Sequence, residues 1–124
     1  MILGLYSRND ALLDSARLVS MLDRMEKASC KLRRVAETAD LQGIDMLLSI
    51  GGDGTFLSAS KCVGGSGVPI LGINLGRLGF LSEYSPEEAC EALLSGKYEL
   101  EERRLVKTSV EGTILDDAKG FWPY

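Results

Sequence analysis

The sequence contains no histidine, and this absence limits the chemistry available to the chain. Without an imidazole there can be no Ser-His or Cys-His nucleophile, no histidine general base and no imidazole metal ligand. Any proton transfer must therefore involve a carboxylate, a lysine, a tyrosine or water.

Clustered cysteines, long apolar runs and an excess of positive charge are also lacking. The three cysteines, Cys30, Cys62 and Cys90, stand too far apart for a disulfide framework or a paired zinc motif. No apolar run approaches the ~20 residues of a membrane span, and the apolar start is too short for a signal peptide. The net charge of −4 argues against nucleic acid or an anionic membrane as partner. We therefore expect a cytoplasmic protein.

Apolar runs bounded by polar or glycine-rich stretches predict buried strands. Three segments have this character: residues 2–6, 46–50 and 68–73. Residues 31–35, which are more polar, are expected to form a further strand.

Helical signals lie between and after these runs. Leu12, Ala16, Val19 and Leu22 are spaced by four, three and three, which predicts that they share one helical face behind a cap at Asn9 or Asp10. Residues 56–62 also have helical character. Residues 85–88, Ser-Pro-Glu-Glu, form a capping box for a short helix that should end near Gly96.

Together these elements predict a Rossmann-like α/β domain over residues 1–98, with helices on both faces of a parallel sheet. Residues 99–124 lack a helical stripe and contain a predicted turn at residues 116–120. We interpret them as the first hairpin of a separate β-rich domain that is incomplete in this chain.

The most informative stretch is Gly-Gly-Asp-Gly-Thr at residues 51–55, the glycine turn, between a predicted strand and a predicted helix. Glycines let the backbone approach a phosphate closely, and a helix N-terminus favours anions. Asp53 would lie where a hydroxyl attacking that phosphate must lose its proton. The alternative is that Asp53 only caps the helix and the glycines only turn the chain.

A second motif, Asn-Leu-Gly-Arg-Leu-Gly-Phe, occupies residues 74–80 after another predicted strand. Asn74 could hold the glycine turn or a ligand, or could lie in an ordinary turn. Gly76 allows close backbone packing, and Phe80 could face a base or ribose or belong to the core.

The two motifs together resemble the NAD kinase family. The glycine turn is similar to a signature shared by NAD kinases, diacylglycerol-type lipid kinases and phosphofructokinases, the last with serine at its end. The Asn-x-Gly-x-Leu-Gly-Phe pattern resembles that of NAD kinases, whereas the lipid kinases carry a Gly-Thr-Gly-Asn-Asp-like segment here.

The resemblance implies an enzyme that transfers the γ-phosphate of ATP, or in some cases of polyphosphate, to the 2′-hydroxyl of the adenosine ribose of NAD. The product is NADP, and a divalent cation, expected to be Mg²⁺, is required. By resemblance Asp53 is the proton acceptor, and the substrate-binding residues are Gly52, Gly54, Thr55, Asn74, Gly76 and Phe80. No residue is assigned as a metal ligand.

The family's Asn-Glu pair, which holds the nucleotide, is expected beyond residue 124, so we expect the 124-residue chain alone to be inactive. The expected partners are ATP and NAD, without nucleic acid or membrane, and the full-length protein is expected to be a homo-oligomer. Two alternatives stay open: a diacylglycerol-type lipid kinase, and a non-catalytic nucleotide-binding module. A dehydrogenase is disfavoured because no Gly-x-Gly-x-x-Gly turn follows the first strand.

Overall fold

The computed structural model describes residues 1–76, 81, 84–101 and 104–107. Strands and helices alternate over most of this length. The strands are β1 (Ile2–Tyr6), β2 (Lys31–Arg34), β3 (Met46–Ile50), β4 (Ile70–Ile73), β5 (Tyr98–Glu101) and β6 (Arg104–Lys107). The α-helices are α1 (Ala16–Lys27), α2 (Asp53–Val63) and α3 (Pro86–Ser95), and two 3₁₀ helices span Asp10–Asp14 and Thr38–Leu41.

The six strands form one sheet in the order β2-β1-β3-β4-β6-β5. β2, β1, β3 and β4 are parallel, with Leu3 paired to Met46 and Leu47 paired to Ile70. β6 continues the sheet as a parallel neighbour of β4, and β5 closes it in an antiparallel pair with β6. Parallel pairing follows from the crossover helices, which return the chain to the same end of the sheet.

Two apolar clusters cover the two faces of the sheet. Alternate residues of β3 enter different clusters: Leu48 packs with residues of α1 and α3, and Leu47 packs with residues of α2. All five β3 residues are buried, as expected for a central strand covered on both faces. The predicted three-layer α/β fold is confirmed.

The predicted face of the first helix is only partly correct: Leu12 and Leu22 pack against the core, but the four residues do not share one helix. Leu12 belongs to the 3₁₀ helix, α1 begins only at Ala16, and Val19 is 49% exposed. The face that enters the core consists of Leu18, Met21 and Met25, at intervals of three and four. The predicted spacing was carried across the break between the two helices, where the 3.6-residue period does not continue.

Other boundaries differ by a few residues. α2 begins at Asp53, so the second half of the glycine turn is already helical, and β4 begins at Ile70. The helix after the capping box ends as expected, with Gly96 in a left-handed conformation at φ 73°. Strands β5 and β6 form a hairpin within the same sheet, at a position the sequence did not indicate. The predicted turn at residues 116–120 lies outside the described residues, and the domain division after residue 98 stays a prediction.

The strand order determines where a ligand can bind. From β1 the chain continues to β2, toward one edge of the sheet, whereas from β3 it continues to β4, toward the other edge. In open parallel sheets such a reversal opens a crevice at the carboxyl ends of the two central strands. Here these ends lead into residues 7–10, after β1, and into the glycine turn, after β3.

Candidate functional site

Gly51 is the residue of the glycine turn that the fold itself requires. Its φ of +149° is rarely adopted by residues with a side chain, and a Cβ added here would lie 2.5 Å from Thr55 Oγ1. Its N–H donates to the carbonyl of Ile73 at 2.9 Å, which ties the turn to the end of β4. The reversal from strand to helix therefore depends on glycine at this position.

Gly52 has a different role, because its backbone is ordinary. It is the N-cap of α2, with φ −96° and ψ −163°, and a Cβ added here would meet no atom of the described residues within 4 Å. The first helical hydrogen bond runs from Phe56 N–H to the Gly52 carbonyl, so the N–H groups of the first turn have no acceptor within the helix. Open space in front of such N–H groups favours an anion.

Asp53 is the first residue of α2 and is half-buried. Its Oδ1 accepts a hydrogen bond from Leu81 N–H at 2.8 Å, which connects the glycine turn to the chain just after the second motif. A carboxylate has about four acceptor positions, so this bond is compatible with a further role in accepting a proton. No sequence pattern indicates the contact, because 28 residues separate the partners.

Asn74 lies in a turn at the end of β4. Its Oδ1 accepts from Gly76 N–H at 3.0 Å, and its own N–H donates to the carbonyl of Tyr84 at 2.8 Å. Asn74 therefore lies in a turn, as the alternative interpretation of the sequence expected. A contact of Asn74 with a ligand stays a prediction.

An arginine from α1 holds the same segment from the opposite side. Arg17 donates through Nη1 to the carbonyl of Leu75 at 2.7 Å and forms an ion pair with Glu87 at 2.6 Å. The hydrogen bonds from Arg17 hold the pKa of the Glu87 carboxyl below its ordinary value. Leu75 is thereby attached to α1, and the same arginine binds α3, which restricts where the neighbouring Asn74 and Gly76 can lie.

Sequence reasoning missed Arg8, in the loop after β1. Its Nη1 lies 3.3 Å from the position that a Cβ on Gly54 would take, so a cationic side chain borders the glycine turn. A lone arginine after a strand carries no motif, and only the neighbouring positions of β1 and β3 in the sheet could have indicated it.

Phe80, the remaining predicted site residue, lies outside the described residues. Among the residues that are described, no group of three or more Cys, Asp or Glu side chains is arranged to hold a metal ion. The glycine turn supplies one carboxylate, Asp53. A magnesium ion is commonly held by one or two carboxylates together with substrate phosphates, and the turn fits that kind of site.

A family model described as the ATP-NAD kinase N-terminal domain matches residues 6–98 of this chain. An NAD kinase of Bacteroides fragilis is 54% identical over 77 residues, which are 60% of this chain and 27% of that protein. An NAD kinase of Moorella thermoacetica is 42% identical over 110 residues, 86% of this chain and 33% of that protein. The chain thus spans about a third of the length of the curated relatives that it matches.

A solved structure has the same fold. The crystal structure of an NAD kinase from Archaeoglobus fulgidus in complex with ATP matches with a TM-score of 0.60 at 24% identity. The match covers 80% of this chain and 39% of that one. Within the part of the chain that the structure describes, no helix is both long and apolar enough to cross a membrane.

Proposed function

This chain belongs to the NAD kinase family, and we propose that the full-length protein transfers the γ-phosphate of ATP to the 2′-hydroxyl of the adenosine ribose of NAD. The observation that carries the proposal is the glycine turn, which joins the N-terminus of α2 to a half-buried carboxylate at the sheet's crevice. We further propose that the protein acts in the cytoplasm, and that polyphosphate is a possible alternative donor.

The donor phosphates bind in front of α2. The first-turn N–H groups offer hydrogen bonds to phosphate oxygens, and no described side chain occupies the space beside Gly52. Gly54 and Thr55 follow in the same turn of helix and complete this phosphate-facing surface. Phosphoryl transfer depends mainly on such positioning and charge stabilisation.

Asp53 accepts the proton of the ribose hydroxyl. As the hydroxyl oxygen forms its bond to the γ-phosphorus, the bond from that phosphorus to the bridging oxygen breaks, and ADP leaves. The hydroxyl proton moves to the Asp53 carboxylate, whose orientation is fixed by the hydrogen bond from Leu81 N–H. A bound divalent cation would neutralise phosphate charge, and Asp53 is the residue of the turn that could contribute a carboxylate oxygen to it. Asn74, Gly76 and Phe80 are proposed to contact the substrates from the second motif.

The test is NADP formation by the full-length protein with ATP, NAD and Mg²⁺, followed with an NADP-specific dehydrogenase. We expect NADP to form, and we expect diacylglycerol not to be phosphorylated. Absence of NADP together with phosphorylation of the lipid would show that the protein is a lipid kinase. A polypeptide of residues 1–124 alone, which spans about a third of its relatives, is expected to form no NADP.

A further inference from the structure

Arg8 lies where the two loops of the sheet's crevice meet. It is exposed, it follows β1 directly, and its Nη1 is 3.3 Å from the position of a Cβ on Gly54, in the first turn of α2. The reversal of strand order between β1 and β3 brings these two loops together.

The loop that carries Arg8 is held on both sides by hydrogen bonds. Arg34 donates to the carbonyl of Ser7 at 3.0 Å and to Asp10 Oδ1 at 2.6 Å. The buried Ser7 hydroxyl donates to the carbonyl of Asn9 and accepts from the Asn9 N–H. Arg8 therefore extends from a fixed backbone, and less entropy is lost when it binds a ligand than from a mobile loop.

Among the described residues, no carboxylate forms an ion pair with Arg8. Three other arginines, Arg17, Arg33 and Arg34, donate hydrogen bonds to carboxylates or carbonyls. Within the described part of the chain, Arg8 has neither an ion pair nor a hydrogen bond. It instead borders a helix N-terminus, which carries partial positive charge of its own. An anion bound at this turn would interact favourably with both positive groups.

We propose that Arg8 binds the phosphate chain of the nucleotide held at the glycine turn, in addition to the backbone N–H groups of α2. A guanidinium fits this task because it donates two parallel hydrogen bonds to phosphate oxygens and is always charged. The identity of this nucleotide rests on the proposed function, in which ATP is the phosphate donor. The diphosphate of NAD is the other possible source of the same phosphate chemistry.

The experiment compares ATP and NAD binding to the full-length protein by titration calorimetry, together with the KM for each substrate. Arg8→Gln removes the charge at similar length, and Arg8→Lys keeps the charge but loses the paired donors. Lys61→Gln is the matched control, because it removes one exposed positive charge from the last turn of α2, at the far end of that helix from the glycine turn.

We expect Arg8→Gln to weaken ATP binding about tenfold and to raise the KM for ATP by a similar factor. This is the size of effect expected when a hydrogen bond to a charged group is exposed and screened by solvent. Arg8→Lys should fall between the wild type and Arg8→Gln, and Lys61→Gln should match the wild type. A loss confined to NAD would support the phosphate contact and assign it to the acceptor. If Arg8→Gln binds both nucleotides within twofold of the wild type, or if Lys61→Gln weakens ATP equally, the inference is wrong. If Arg8→Gln weakens ATP binding but the wild type forms no NADP, the proposed reaction is refuted and the inference about Arg8 is supported.

Discussion

Gly51 and Gly52 occupy the glycine turn for different reasons, and substituting each by alanine should have different effects. Gly51→Ala places a methyl group 2.5 Å from Thr55 Oγ1 and 2.9 Å from Thr55 Cβ, at a backbone φ of +149°. Gly52→Ala places a methyl group in open space, at a backbone conformation that alanine adopts readily. We therefore expect glycine at position 51 to stabilise the fold, and we propose that glycine at position 52 allows the approach of a ligand.

The magnitudes follow from the geometry. A non-glycine residue in a sparsely populated backbone region costs roughly 1–3 kcal/mol, and overpacking adds a similar amount, so Gly51→Ala should destabilise the fold by about 2–6 kcal/mol. Shortening Thr55 to alanine would not relieve the overlap, because its Cβ is itself within 2.9 Å. Gly52→Ala changes an N-cap from glycine to alanine, which costs at most about 1 kcal/mol.

The assay is thermal unfolding of the full-length protein, with NADP formation measured on the same samples. We expect Gly51→Ala to lower the unfolding temperature by roughly 5–20 °C. Gly52→Ala should unfold near the wild-type temperature yet lose activity by about tenfold or more, since its methyl group displaces the donor phosphate. A Gly51→Ala protein as stable as the wild type would refute the steric argument, and a fully active Gly52→Ala would refute the phosphate argument.

Three further predictions concern separate parts of the chain. Asp53→Asn keeps an oxygen for the Leu81 N–H but loses the base, so kcat should fall by ~10²–10⁴ with the KM for NAD little changed; near-normal turnover would reduce Asp53 to a structural acceptor. Leu18→Ala should destabilise by about 2–5 kcal/mol in urea unfolding and Val19→Ala by less than about 0.5, because Leu18 is 0% and Val19 49% exposed; equal losses would contradict the observed face of α1. The pKa of Asp40 is lowered because its carboxylate accepts two backbone N–H groups, so its ionised form stabilises the fold above about pH 4 and this contribution is lost as pH falls further. The stability difference between wild type and Asp40→Asn should therefore shrink between pH 5 and about pH 2, and a constant difference would contradict this assignment.

Features that depend on neighbouring residues could be predicted from the amino-acid sequence. The strand, glycine turn and helix around Asp53 follow from an apolar run, from glycine's backbone freedom and from a change of hydrophobic period. The capping box at Ser85 and the left-handed Gly96 are likewise local, and both were found where they were predicted. The two motifs were also sufficient to indicate the family.

Contacts between residues far apart in the chain could be seen only in the tertiary structure. The buried face of α1 was set by which side of the helix the sheet and α3 cover, and not by the spacing of its apolar residues alone. The bonds from Leu81 to Asp53 and from Arg17 to Leu75 join residues 28 and 58 positions apart. Arg8 lies at the glycine turn because the strand order makes β1 and β3 neighbours, and a pattern read along one segment holds no information about that order.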